Sequence, residues 1–439
     1  MIQQISSMEL TEATIKNYLP RAQEHIGDIV DKVRQILDRV KKEGDSAIQD
    51  LSLQFDRIDP NKKDAFRKLP LRITPQEIQD AYAATDPALI DALKRAKANI
   101  EKFHAGQLHK EWEIETVPGV RTGQIFRPLE RVGLYIPGGQ AVYPSTVLMT
   151  AAVAKIAGVP ELVLCSPPQA DGTVASAILV AADLCKVDYI FRCGGAQAIA
   201  GMAYGTKSIP PVMKIVGPGN KWVAAAKQAV SGICAIDNPA GPSEILLVVD
   251  ENTNPEWAAY DMLAQIEHGP DNVAVCLSQS QGILNKISGA LTYLVEKSPR
   301  KAILEENLKK YGLYIKAMSQ KEMIRIINII AAEHLHLNLA DARKLLPEIR
   351  NAGAVFLGPY SPVPLGDYCA GTNHVLPTAG YARFYSGLST RDFIKEMDVL
   401  ECNREGLGEL AKILQPIADF EGLPAHRDAV LIRTKNNKS

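Results

Sequence analysis

From Arg131 onward the chain repeats one texture: a short apolar run, a Gly- or Pro-containing turn, then an Ala-rich stretch with helical character. The apolar runs are 132–136, 162–165, 189–192, 212–216 and 245–249, and helices are predicted at 146–157, 174–185, 196–204 and 221–230. A strand recurring every ~25–30 residues leaves room for a crossover helix and so specifies βαβ units, hence a parallel, doubly wound sheet. The alternation continues past Asp250, with helices at 255–267, 282–297 and 321–332 and strands at 273–277, 313–316 and 354–357. The fold class is therefore α/β: two Rossmann-like doubly wound units with mainly parallel sheets, flanked by small helical N- and C-terminal segments. Before Arg131, Val30, Val33, Ile36, Leu37 and Val40 recur at helical spacing among charged residues, and further helices are expected after Thr74 and from Pro87 to about Phe103. So long a helical stretch lacks a core of its own, so it is expected to share a sheet with the second α/β set. The segment from Ser389 to His426 is read as helical, and Thr434–Ser439 as a disordered tail.

Composition excludes several classes of function. Lys and Arg number 49 against 50 Asp and Glu, and no basic stripe breaks the balance, so nucleic acid is not an expected partner. The first ten residues carry no basic and then apolar leader, and the most apolar stretch, 147–159, contains Lys155 and is too short to span a bilayer. Seven dispersed cysteines without CxxC spacing fit reduced thiols in a cytoplasmic protein.

Three predicted strands end in glycine-rich turns: Ile136–Gly139, Cys193–Gln197 and Gly217–Lys221. Glycine permits close backbone approach to a ligand, and a helix N-terminus offers free N–H groups to phosphate, so these turns suit a nucleotide, although none is a GxGxxG fingerprint. Five of the eight histidines, His268, His334, His336, His374 and His426, lie in the last two-fifths of the chain. Gln265 and His268 fall at i and i+3 of a helix end, and with Asp367 and another histidine they can form an N/O donor shell for zinc or a similar ion. Glu333 and His334 are adjacent at a predicted helix end and offer two proton acceptors. His334 and His336 also alternate as in a strand, which leaves a competing metal pair open. A metal-dependent hydrolase and a non-catalytic nucleotide-binding module both stay open at this point; the glycine-rich turns count against the first, the metal shell and paired bases against the second.

Longer strings are more specific. Ala-Gln-Ile-Glu-His-Gly-Pro-Asp from Ala264, Ala-Glu-His-Leu from Ala332, Leu-Gly-Asp-Tyr-Cys-Ala-Gly-Thr-Asn-His from Leu365 and Leu-Pro-Ala-His-Arg-Asp-Ala-Val from Leu423 closely resemble motifs of the histidinol dehydrogenase family. So do Gly-Leu-Tyr-Ile-Pro-Gly-Gly from Gly133, Gly-Gly-Ala-Gln-Ala-Ile from Gly194, Gly-Pro-Gly-Asn from Gly217 and Ala-Gly-Pro-Ser-Glu from Ala240. The match is collinear from about residue 30 to 433.

The resemblance implies a cytoplasmic, zinc-dependent enzyme that oxidises L-histidinol through L-histidinaldehyde to L-histidine with two molecules of NAD. It implies zinc ligation by Gln265, His268, Asp367 and His426, and NAD contacts from Tyr135, Gln197 and Asn220. It assigns substrate contacts to Ser243, Glu421, His334 and the zinc ligands, and proton transfer to Glu333 and His334. His336 and His374 receive no role from it. The implied division is an N-terminal segment 1–29, a first unit 30–131 with 246–386 carrying most zinc and catalytic residues, an inserted NAD-binding unit 132–245, and a tail 387–439. In the family the tail crosses a homodimer, so each active site is shared between chains; the stripe Leu407, Leu410, Ile413, Leu414 and Ile417 suits such docking, with Pro416 expected to bend or end its last turn.

Overall fold

In a computed structural model, which describes residues 2–19, 27–138, 142–238, 241–267, 269 and 271–435, the chain builds two parallel sheets and one small antiparallel sheet. The first parallel sheet orders its strands Tyr189–Arg192, Glu161–Ser166, Arg131–Tyr135, Lys214–Val216 and Ala235–Ile236. Numbered along the chain this is 3-2-1-4-5, so the winding reverses between Arg131–Tyr135 and Lys214–Val216. The second sheet orders Gln3–Ser6, Gly312–Lys316, Val273–Ser278, Glu244–Val249, His334–Asn338 and Ala354–Leu357. Its central strands are buried along their whole length, which is why they read as continuous apolar runs rather than as alternation.

Three features depart from the sequence reading. The N-terminal segment opens with the strand Gln3–Ser6, which adds in parallel beside Gly312–Lys316. The helices of 30–105, expected to go with 246–386, instead cover both faces of the five-stranded sheet: Val33, Ile36, Leu37 and Val40 pack with Val163, Ile199 and Ile215, and Leu93, Ala96 and Ile100 with Leu134 and Leu164. The cause is supply: that sheet's own crossovers leave room on it, and these amphipathic stripes fill it. The tail is not wholly helical, because Ile394–Cys402 pairs antiparallel with Val120–Pro128, itself paired with Trp112–Val117. The helix Arg404–Phe420 then runs through Pro416 and is followed by Pro424–Thr434. Residues 436–439 lie outside the described residues.

Arg192 shows how tightly the first sheet is tied to the N-terminal helices. It is 1% exposed, and its guanidinium donates to the carbonyls of Pro70 (2.8 Å) and Gly172 (3.1 Å) and to both carboxylate oxygens of Glu77 (2.6 and 2.8 Å). Glu77 also closes the capping box with Thr74 that starts the helix Pro75–Ala84. This staple fixes the end of the strand from which the turn Cys193–Gln197 departs. Among the described residues no helix is long and apolar enough to cross a membrane.

Candidate active site

The first sheet reverses its winding between Arg131–Tyr135 and Lys214–Val216, and at such a point the carboxyl ends of an open α/β sheet accept ligands. Tyr135 ends one flanking strand, and the Gly217 turn follows the other. Gly217 sits at φ 119°, and a Cβ there would lie 2.1 Å from the carbonyl oxygen of Tyr135, so only glycine allows this approach. Asn220 accepts from the N–H groups of Trp222 (3.0 Å) and Val223 (3.2 Å), capping the helix Lys221–Val230. The Tyr135 hydroxyl accepts from the Gly195 N–H at 3.1 Å, and two residues on Gln197 is buried with an Nε2 that has no hydrogen-bond partner. Tyr135, Gln197 and Asn220 thus stand at or just beyond the carboxyl ends of three strands of one sheet. Gly139, the last residue of the first glycine-rich turn, lies outside the described residues. A residue that the sequence reading missed joins them: Asp56, at the end of the helix Asp45–Phe55, accepts from the Gly194 N–H, and burial pushes its carboxyl up to about 6.

The proton-transfer candidates lie on the other sheet, at the amino ends of its strands. Glu333 and His334 do not end a helix as expected. The helix Gln320–Ile330 stops at Ala331, which takes the left-handed conformation (φ 49°), and His334 begins the strand His334–Asn338. Both side chains are buried and both are held by Glu244: its N–H donates to Glu333 Oε2 at 2.9 Å, and its carbonyl accepts from His334 Nδ1 at 3.1 Å. That bond directs Nε2 of His334 toward Asp367, whose Oδ1 is 3.5 Å away. Burial dominates Glu333 and raises its carboxyl to about 7, against the opposing pull of His334 and the Glu244 N–H. For His334 burial pulls downward, but Glu333 and Asp367 together outweigh it and raise the ring to about 9. Glu244 was the signal available in sequence, next to Ser243 in Ala-Gly-Pro-Ser-Glu, and was not read as a holder of either group.

Asp367, on the short helix Val363–Tyr368, and Gln265, near the end of Pro255–Ile266, line a common cavity of about 530 Å³ with Tyr143, Asp261, Glu267 and Arg300. Their carboxylate and amide oxygens suit part of an N/O donor set for a divalent ion. His268 lies outside the described residues, and among those described no three His, Cys, Asp or Glu side chains converge as a metal cluster. Ser243 is placed beside Glu244, its N–H donating to Asn272 at 2.9 Å. Glu421 and His426 are exposed on the tail and do not line this cavity. His336 is fully buried and turned to other work: Nε2 donates to the Gly358 carbonyl (2.9 Å), and Nδ1 is 3.2 Å from Asp261. His374 ties the two sheets' layers together, donating from Nδ1 to the Asp367 carbonyl (2.8 Å) and accepting at Nε2 from Thr146 (3.2 Å).

Comparison with known proteins fits this geometry. The family model for histidinol dehydrogenase matches residues 19–434. The chain belongs to the histidinol dehydrogenase family. Histidinol dehydrogenase of Methanothermobacter thermautotrophicus is 42% identical over 432 residues, covering 98% of this chain and 100% of that protein. That of Listeria monocytogenes is 44% identical over 402 residues, 92% of each. The crystal structure of histidinol dehydrogenase from Elizabethkingia anophelis superimposes with a TM-score of 0.93 at 37% identity, covering 100% of this chain and 99% of that one. The histidinol dehydrogenase assignment makes the chain an oxidoreductase with a small-molecule substrate.

The buried Asp56 gives a stability signature at the glycine turn. Its folded carboxyl titrates near 6 against an ordinary 3.8, so the folded chain binds the proton more tightly and loses stability as pH rises through that interval. Asp56→Asn keeps an oxygen to accept from Gly194 without the charge. The variant is expected to show a flatter dependence of thermal unfolding on pH between about 3.8 and about 6. Parallel curves for the two proteins would contradict the assignment.

Proposed function

We propose that the chain oxidises L-histidinol through L-histidinaldehyde to L-histidine, delivering two hydrides to two molecules of NAD, as a zinc-dependent homodimer in the cytoplasm. What supports this most is the meeting of Glu333, Asp367 and the Glu244 peptide around the ring of His334, next to a cavity whose wall carries Gln265. In this reading 132–245 binds NAD, with Tyr135, Gln197 and Asn220 as contacts at the winding reversal. The segment 246–386, with Ser243 and Glu244 just before it, supplies the remaining chemistry, and the helices of 30–105 back the NAD unit.

Loss of hydride from an alcohol requires loss of the hydroxyl proton. Nε2 of the neutral His334 ring takes it, because Nδ1 is already committed to the Glu244 carbonyl; with the ring raised to about 9, the fraction able to accept that proton grows as pH rises toward that value. The second oxidation starts from the aldehyde hydrate, and Glu333, raised to about 7 and fixed by the Glu244 N–H, draws the proton from the attacking water. The second hydride then leaves for NAD and the carboxylate remains. Ser243 and Glu421 orient the substrate. Zinc would be held by Gln265, His268, Asp367 and His426, and when bound it supplies a positive centre that fixes the substrate's imidazole and amine nitrogens.

The tail argues for the shared site. Phe420 is 93% exposed, Ile413 58% and Ile417 54%, a stripe that a lone chain leaves in water. Docked on a second copy, the same helices bring Glu421 and His426 toward a cavity that they do not reach in their own chain.

Two experiments test the reading. Glu333→Gln is expected to impair oxidation of histidinaldehyde more than that of histidinol, and His334→Asn to impair the alcohol step at least as much, each by roughly 10²-fold or more. Activity of the wild type should vanish on chelation and return with zinc. Equal losses in both half-reactions for both variants, or turnover by verified metal-free protein, would contradict the roles given. In the second, inactive His426→Ala and His268→Ala chains are mixed after reversible dissociation. Random pairing makes half of the dimers hybrids with one intact site of two, so activity should return to about a quarter of wild type. No recovery in hybrids verified by mass would place His426 in its own chain's site.

A further inference from the structure

Behind the turn Gly217–Asn220 lies a pair of charges that the mechanism does not use. Lys227 and Asp237 are both buried, in direct contact through Nζ and Oδ1, and each also grips the same glycine. Lys227 Nζ donates to the Gly217 carbonyl at 3.0 Å, and Asp237 Oδ2 accepts from the Gly217 N–H at 2.7 Å.

The local structure explains why these two residues arrive there. Lys227 lies almost two turns into the helix Lys221–Val230, and helical side chains lean toward the N-terminus, so its ammonium reaches back to the turn that opens the helix. Asp237 follows the edge strand Ala235–Ile236, whose register pairs Ile236 with Ile215; its N–H donates to the Ile215 carbonyl, and its side chain is carried to Gly217. At φ 119° and pressed on the Tyr135 carbonyl, Gly217 has left the strand ladder, and its two main-chain groups need partners. The clasp supplies both. Because Lys227 and Asp237 neutralise one another, they offer a ligand no net charge; what they fix is the orientation of the Gly217 peptide planes, and with it Asn220 and the gap to Tyr135.

We propose that Lys227 and Asp237 are positioning residues for the dinucleotide, setting the Gly217–Asn220 turn at the distance from Tyr135 that NAD requires. The inference rests on the reading of this crevice as the NAD site. Breaking a buried ion pair by removing one partner also destabilises a fold, whereas removing both charges restores much of the loss, and that separates positioning from stability. Three variants serve: Lys227→Met, the double variant Lys227→Met/Asp237→Leu, and Lys227→Arg, which keeps the charge. Each is measured well below its unfolding temperature, by calorimetric titration with NADH without substrate and by steady-state kinetics. Lys227→Met and the double variant are expected to weaken NADH binding and raise the KM for NAD by about tenfold or more. At saturating NAD, kcat should change by less than about threefold. The double variant should recover part of the thermal stability lost in Lys227→Met without recovering affinity, and Lys227→Arg should stay nearest to wild type. Wild-type NADH affinity and KM in any folded variant lacking the Lys227 ammonium would overturn the proposal, as would loss of affinity in step with stability and its return in the double variant. Absence of NADH binding by the wild type would instead strike at the cofactor reading itself.

Discussion

The main-chain groups of one residue order the candidate active site. Glu244 presents its N–H to Glu333 and its carbonyl to His334, so the two proton-carrying side chains are oriented by the same stretch of main chain. The arrangement follows from the parallel pairing of Glu244–Val249 with His334–Asn338, in which His334 stands opposite Ile245. A one-residue slip would turn both groups to the opposite face of the sheet. Neighbouring backbone enforces that register. Ala331 turns the chain sharply out of its helix, and Gly353 lies so close to Glu333 that a Cβ would come within 2.5 Å of its carbonyl oxygen.

The two parallel sheets are used from opposite ends. In the first, the turns that follow Arg131–Tyr135, Tyr189–Arg192 and Lys214–Val216 lie at the carboxyl ends, with the winding reversal between the first and the last of these strands. In the second, Ser243, Glu244, Glu333 and His334 stand at the amino ends, and Gln265 reaches the same rim because its helix runs back antiparallel to the strand before it. His374 bonds Asp367 on one side and Thr146 on the other, and Tyr143 brings the first sheet's loop to the wall of the cavity. In the proposed reading, cofactor binding and proton transfer are thus held by separate cores, joined through His374 and Tyr143.

Much of this was legible in the sequence, for reasons that are physical. Strands buried on both faces must be apolar runs, and turns that approach a ligand must be glycine, so the βαβ rhythm and the motifs around Tyr135, Gln197 and Asn220 could be read directly. Gln265, Asp367, Glu333 and His334 were likewise visible as motifs. Their setting was not. The alternation of His334 and His336 in a strand was legible, but a neighbouring helical pattern outweighed it, and the role of His336 depends on Asp261, 75 residues away in sequence. The strands Trp112–Val117 and Ile394–Cys402 expose much of both faces, which erases the usual in-out pattern. Which sheet the helices of 30–105 would cover is a matter of vacant tertiary surface, on which amphipathic spacing is silent.

The central claim of the proposed reading is that one site carries out two successive oxidations: because Glu333 and His334 are held side by side by Glu244, the aldehyde formed at one is consumed at the other without leaving. The direct measurement is the stoichiometry of a single closed reaction, with NADH followed by absorbance, histidine by chromatography, and free aldehyde by a carbonyl-trapping reagent. The account predicts two NADH for each histidinol consumed, one histidine formed, and no trapped aldehyde. One NADH per histidinol, with aldehyde accumulating in the trap, would contradict it.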